Sequence, residues 1–228
     1  MTIHYHGTPI TPNRVLIEEM AGAHFCVSFA APSQVKLCHQ LGQSVMLDNG
    51  AFSVWKRGIA PDWAGYYAFC DEWLDHPTTW AVIPDVIVGD EADNDALIKQ
   101  WAFGERGAPV WHMHESVDRL LALLDVHPLV CFGSSGAFAE VMSEPWQRRM
   151  DEAWREVDKR HTRTPDTHML RGLQLIRQRW PFARVDSTDI ARNHNRAGNT
   201  ASKMRARWDA GQCPPRFIDP GQQLELAA

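Results

Sequence analysis

The 228-residue chain has no CxxC pair among its five cysteines, and their odd number gives neither a disulfide framework nor a zinc knuckle. Cys26, Cys38, Cys70, Cys131 and Cys213 are expected reduced and mostly buried. No uninterrupted apolar run approaches the roughly 20 residues that span a bilayer, and MTIHYHGTPITP lacks the basic and apolar regions of a secretory signal. A cytoplasmic location with no membrane partner is therefore expected. No low-complexity tract argues for disorder. The GSSG run at 133–136 is completed by no Lys-Ser or Lys-Thr pair and lacks GxSxG spacing, so neither a nucleotide-triphosphatase loop nor a hydrolase elbow is present.

What is there suits one compact domain over 1–228, long enough to bury a sizeable core without needing a second. The net charge of −5 hides an asymmetry: residues 1–143 hold 7 Lys and Arg against 17 Asp and Glu, whereas 144–211 hold 15 against 9. A basic last third suits a phosphate backbone, and a solvated helix face is the plainer cause of such clustering. Ten tryptophans are expected mainly in the core, with one or two free to stack on bases.

Short apolar runs alternate with helix-like segments along the whole chain. IHYH, HFCVSFA, QSVMLD, TWAVIPD, APVWHMHE, LVCFGSS, THMLRGL and ARVDSTD read as eight strands, which predicts a compact α/β (β/α)8 barrel. Helices are expected from near Pro12, over APSQVKLCHQLG, PDWAGYYAFCDEWLDHP, DEADNDALIKQWAFGERG, SVDRLLALLDVHP, EPWQRRMDEAWREVDKR, QLIRQRWPF and NTASKMRARWDAG. An open doubly wound sheet is the competing fold, and it too binds ligands at the carboxyl ends of its strands.

Several runs end on residues able to do chemistry, and such ends converge on one rim of a barrel. Asp48 is followed by the turn-prone Asn49-Gly50, so it can be a proton carrier or a turn-stabilising carboxylate. Asp85 occupies the matching end of IPD, with a cap or solvated turn as the alternative. Gly133 and Ser134 can turn backbone N–H groups toward a planar base or an anion, or simply form a loop. Asp186 and Asp189 stand close to Arg192 and Arg196, which can meet a phosphate or make structural Asp–Arg pairs. A carboxylate such as Asp186 can attack a sugar carbon and form a covalent glycosyl intermediate, while a second carboxylate handles the proton. His112 and His114 share a strand face with Glu115 at its end, and His4 and His6 repeat the spacing. Such HxH pairs with a strand-end Asp could hold a divalent metal that activates water.

Taken in order, LDNGAFSVW, IPDVI, PVWHMHES, FGSSG, HMLRGL and VDSTDIARN resemble the active-site motifs of the tRNA-guanine transglycosylase superfamily, over roughly residues 24–196. The resemblance implies that Asp186 attacks C1′ of a nucleoside and that Asp48 transfers the proton during base exchange. It implies further that Asp85 reads the base edge with Gly133 and Ser134, and that His114 and Glu115 lie near the next base-binding position. The family's C-terminal cysteine and histidine zinc site has no counterpart, and the chain is shorter than tRNA-modifying members. Both departures fit the DNA-modifying branch, often carried by phages, which exchanges guanine for a 7-deazaguanine. The expected partners are then nucleic acid, DNA ahead of tRNA, and a free modified purine base, with no cofactor. Two other expectations stand beside this one: a metal-dependent hydrolase on the same barrel, and a nucleic-acid binding protein whose site has decayed.

Overall fold

Each apolar run is short, flanked by turn residues, and rich in the β-branched and aromatic side chains that suit a buried strand. In the computed structural model, which describes residues 1–221, these runs form β1 (Ile3–Gly7), β2 (His24–Ser28), β3 (Ser44–Asp48), β4 (Thr79–Val82), β5 (Gly107–Ala108), β6 (Val110–His112), β7 (Val130–Gly133), β8 (Thr167–Met169) and β9 (Arg184–Ser187). Neighbouring strands pair parallel in the order β5-β4-β3-β2-β1-β9-β8-β7-β6. The two ends of that order are halves of one strand, divided at Pro109, which has no N–H to give to a ladder. On one side Ile83 donates to the Ala108 carbonyl at 2.9 Å, and on the other Cys131 donates to the Pro109 carbonyl at 2.8 Å. The sheet thereby nearly closes, and the eight expected strands form the expected compact (β/α) barrel.

Nine α-helices among the described residues surround or cap it: α1 (Asn13–Glu19), α2 (Val35–Leu41), α3 (Ala51–Arg57), α4 (Trp63–Trp73), α5 (Glu91–Gln100), α6 (Val117–Val126), α7 (Glu144–Arg160), α8 (Asp189–Asn193) and α9 (Ala201–Asp209). Several starts are set by side-chain caps. Asp62, Ser116, Ser143 and Thr200 each accept an N–H from the first turn of α4, α6, α7 and α9, and Asp90 and Asp93 form a reciprocal capping box on α5. None of the helices is long and apolar enough to cross a membrane.

One expected helix is missing. QLIRQRWPF contributes only to a single 3-10 turn at Gly172–Leu175, after which Arg177 takes a left-handed φ of 66°. Leu175, Ile176, Trp180 and Phe182 all sink into the outer core without a helix, because the chain turns left-handed at Arg177 and Pro181 blocks any continuation. In the opposite sense, AFSVWKR behind the Asn49-Gly50 turn, not anticipated as a helix, forms α3.

The core has three parts. Tyr5, Cys26, Met46, Trp80, Val82, Ala108, Val110, Leu129 and Cys131 fill the barrel, while two outer clusters seat the helices. The Tyr5 hydroxyl accepts from Ser44 Oγ and Trp80 Nε1, both at 3.0 Å, which gives these two donors a partner inside the barrel wall. All five cysteines are free and four are buried.

Candidate active site

The carboxyl ends of the strands open into a pocket of about 490 Å³ whose lining includes Asp48, Asp85, Gly133, Ser134, Asp186 and Arg192. Asp48 closes β3, and Gly50 behind it has φ 77°, a conformation in which a side chain would be strained. A Cβ on Gly50 would also stand 3.2 Å from the Ala30 amide nitrogen. That glycine lets α3 begin immediately after the strand, bringing Phe52, Ser53 and Lys56 into the pocket wall.

Burial pushes the Asp48 carboxyl up to about 6, and repulsion from Asp186 and Asp85 adds to this, while hydrogen bonds from Ser28 and the Gly50 N–H oppose it. A carboxyl with that value is protonated often enough near neutrality to give a proton and basic enough to take one back.

Asp186 lies in β9, and its side chain is 12% exposed. Its Oδ1 accepts from His168 Nε2 at 3.0 Å and from the Arg171 N–H at 2.9 Å, leaving Oδ2 as the freer oxygen. Burial lowers the pKa of His168, against the pull of Asp186, so the ring is a neutral Nε2–H donor. Arg171 has φ 59°, a left-handed conformation that costs a non-glycine residue on the order of 1 kcal/mol and aims its N–H at the carboxylate. The Arg171 guanidinium lies over the Phe52 ring at 4.5 Å and donates to the Ser134 carbonyl at 3.2 Å.

Asp85 is held by two donors, Asn49 Nδ2 on Oδ1 at 2.6 Å and His112 Nε2 on Oδ2 at 2.9 Å. Each oxygen keeps a lone pair for a further donor. Ser134 accepts from Trp146 Nε1 at 2.9 Å, which fixes the turn after β7.

Three expected binders stand elsewhere. The Glu115 side chain is only 1% exposed and turns away from the pocket: it takes Arg119 Nη1 at 2.7 Å, the His112 N–H at 2.8 Å and Asn94 Nδ2 at 2.9 Å. Such a buried, fully paired carboxylate holds the loop after β6 in place, since a lone buried charge would be costly. His114 does not continue a strand face, because β6 stops at His112. It bonds Ser135 Oγ at 2.7 Å and the Gly89 carbonyl at 3.0 Å, outside the pocket lining. Arg196 is exposed in the loop after α8, also away from the lining.

The HxH pairs do not converge with Asp186. His4 and His6 point out of the barrel from β1 toward α9, where His6 Nε2 meets Asp209 Oδ1 at 3.0 Å. Among the described residues no group of three or more His, Cys, Asp or Glu is placed to hold a metal ion.

His168, Arg171, Ser28 and Asn49 are working neighbours to which the linear sequence assigned no catalytic or binding role. His168 could have been suspected from strand alternation in THM, which puts it on the inward face beside Tyr5 and Trp80. Comparison with family models, curated proteins and solved structures gave no match for this chain.

Proposed function

We propose that the protein exchanges a purine-type base on nucleic acid through a covalent glycosyl intermediate on Asp186. The carrying observation is that Asp48, Asp85 and Asp186, 37 and 101 residues apart in sequence, line one pocket at the strand ends. The ordered resemblance to transglycosylase motifs supports the same chemistry.

Asp186 Oδ2 attacks C1′ as the bond from C1′ to the base nitrogen breaks, and the departing base takes its proton from Asp48. The incoming base, a 7-deazaguanine in this reading, returns a proton to Asp48 and attacks C1′, which releases Asp186. Atoms and charge balance without a redox partner. His168 and the Arg171 N–H hold Oδ1, so the attacking oxygen is presented in one orientation. Asp85 faces the base edge, where donors such as ring N–H and amino groups can use its remaining lone pairs. Arg192 at the rim and the basic stretch 144–211 would meet phosphate, and a base in a duplex must leave its stack to reach C1′ attack geometry. DNA in a cytoplasmic setting is the substrate in this proposal.

The test is trapping of an adduct between protein and guanine-containing DNA, resolved by denaturing electrophoresis and located by mass spectrometry. Asp186→Asn is expected to abolish the adduct and reduce exchange at least about 1,000-fold. An adduct that survives in Asp186→Asn, with full exchange, sinks the mechanism.

A further inference from the structure

Of the ten tryptophans, five are buried and four half-buried; Trp55 alone is exposed, at 48%. It stands on α3 three residues after Phe52, with ring centroids 5.8 Å apart. Phe52 and Lys56 belong to the pocket wall, so Trp55 is just outside the mouth. The face of Phe52 is covered by the Arg171 guanidinium, whereas Trp55 has no such cover. Phe52 is itself 41% exposed, and Ile59, just past the Gly58 that ends α3, is 54% exposed, so an apolar stripe leads from the pocket edge to the end of the helix.

Charge around this stripe selects its partner. Lys56 and Arg57 follow Trp55 on α3, and Arg171 and Arg192 stand at the same mouth; none of these four forms an ion pair among the described residues. A flat aromatic ring near cations that have no carboxylate partner suits a polyanion with stackable faces. Turning a nucleotide out of a duplex leaves a gap between its neighbours, and an apolar side chain can enter a base stack, as architectural proteins do when they wedge one between base steps.

We propose that Trp55 is the wedge for base-paired DNA, stacking in the gap left when the target nucleotide enters the pocket. This rests on the base-exchange reading, and it adds a surface on α3 that the chemistry itself does not require. Lys56 and Arg57 then face the phosphates flanking the gap.

Two labelled duplexes of one sequence test it, one intact and one carrying an abasic site that imitates the vacated stack. Binding is read by fluorescence anisotropy for the wild type, Trp55→Ala and Trp55→Phe. The wild type is expected to prefer the abasic duplex about tenfold, Trp55→Ala to lose that preference, and Trp55→Phe to keep most of it. Because Trp55 is exposed, Trp55→Ala is expected to unfold at the wild-type temperature, so a loss reports binding. The proposal is overturned if Trp55→Ala discriminates like the wild type. It is equally overturned if Trp55→Ala converts a dimer to monomers in sedimentation, which would assign the face to a second copy of the chain. A wild type that binds neither duplex at low salt would sink the nucleic-acid reading itself, whereas discrimination without Trp55 sinks the wedge alone.

Discussion

The barrel mouth and the outer flank between β1 and α9 use the same residue types to opposite ends. At the mouth, histidines hold carboxylates that still face a cavity: His168 on Asp186 at 3.0 Å and His112 on Asp85 at 2.9 Å. On the flank, His6 sits 3.0 Å and His4 3.6 Å from Asp209, between strand and helix. Burial pushes Asp209 up, yet the His6 hydrogen bond and Arg205 draw it below the usual carboxylate range. Burial takes His4 down to about 4, with His6 and His24 adding to the fall and Asp209 opposing it. The mouth keeps a proton where a carboxyl normally loses it, and the flank refuses one where a histidine normally gains it. Which side of the strand a residue leaves decides between a working group and a packing group.

The sharpest way to break this contrast is Asp48→Asn, expected to slow exchange about 100-fold or more. In the wild type, base release is expected to fall as pH rises through about 6, because the acid form of Asp48 is lost; Asp48→Asn should flatten that limb. The same substitution is expected to stabilise the fold at pH 8. A carboxyl raised from 3.8 to about 6 favours the folded state below pH 4 and loses that contribution as pH climbs through 6, worth about 3 kcal/mol. Thermal melts of Asp48→Asn that match the wild type at pH 8 would contradict the assignment.

The flank predicts the reverse slope. His4 binds a proton at about 4 when folded against 6.5 when unfolded, so stability is fully present above pH 6.5 and is lost on the way to pH 4. The loss is about 3 kcal/mol. His4→Leu is expected to remove this acid limb in urea titrations run between pH 4 and 7, with exchange activity unaltered. A slower enzyme would tie the flank to the mouth.

The smallest effect is expected at Arg171. Arg171→Gly keeps the N–H bonded to Asp186 and relieves the left-handed backbone, but removes the guanidinium from Phe52. A few-fold rise in KM with kcat nearly unchanged is expected in steady-state kinetics. A collapse of kcat would move Arg171 from the wall of the pocket to its chemistry.

The barrel was legible because strand pattern is local: eight apolar runs ended in turn residues, and Pro109 interrupted only one of them. The three aspartates were legible because a barrel puts strand ends on one rim. Glu115 was not, since its fate depends on Arg119 and Asn94, which reach it through tertiary packing. QLIRQRWPF carried helical spacing, yet the left-handed backbone at Arg177 and the proline at 181 deny it a continuous helix, and neither cost is visible in the hydrophobic pattern. His168 was given no role, although HMLRGL begins with it, because its work depends on Asp186 of the next strand, a pairing that only the folded sheet brings together.

The pairing of β1 with β9 has a temporal consequence. Residues 3–6 hydrogen-bond with residues 184–187, so one edge of β1 lacks its partner until almost the whole chain has been made. Contacts so distant in sequence close late and slowly. During synthesis the unfinished sheet must therefore carry an open edge, and a fragment ending before β9 would offer that edge to other chains.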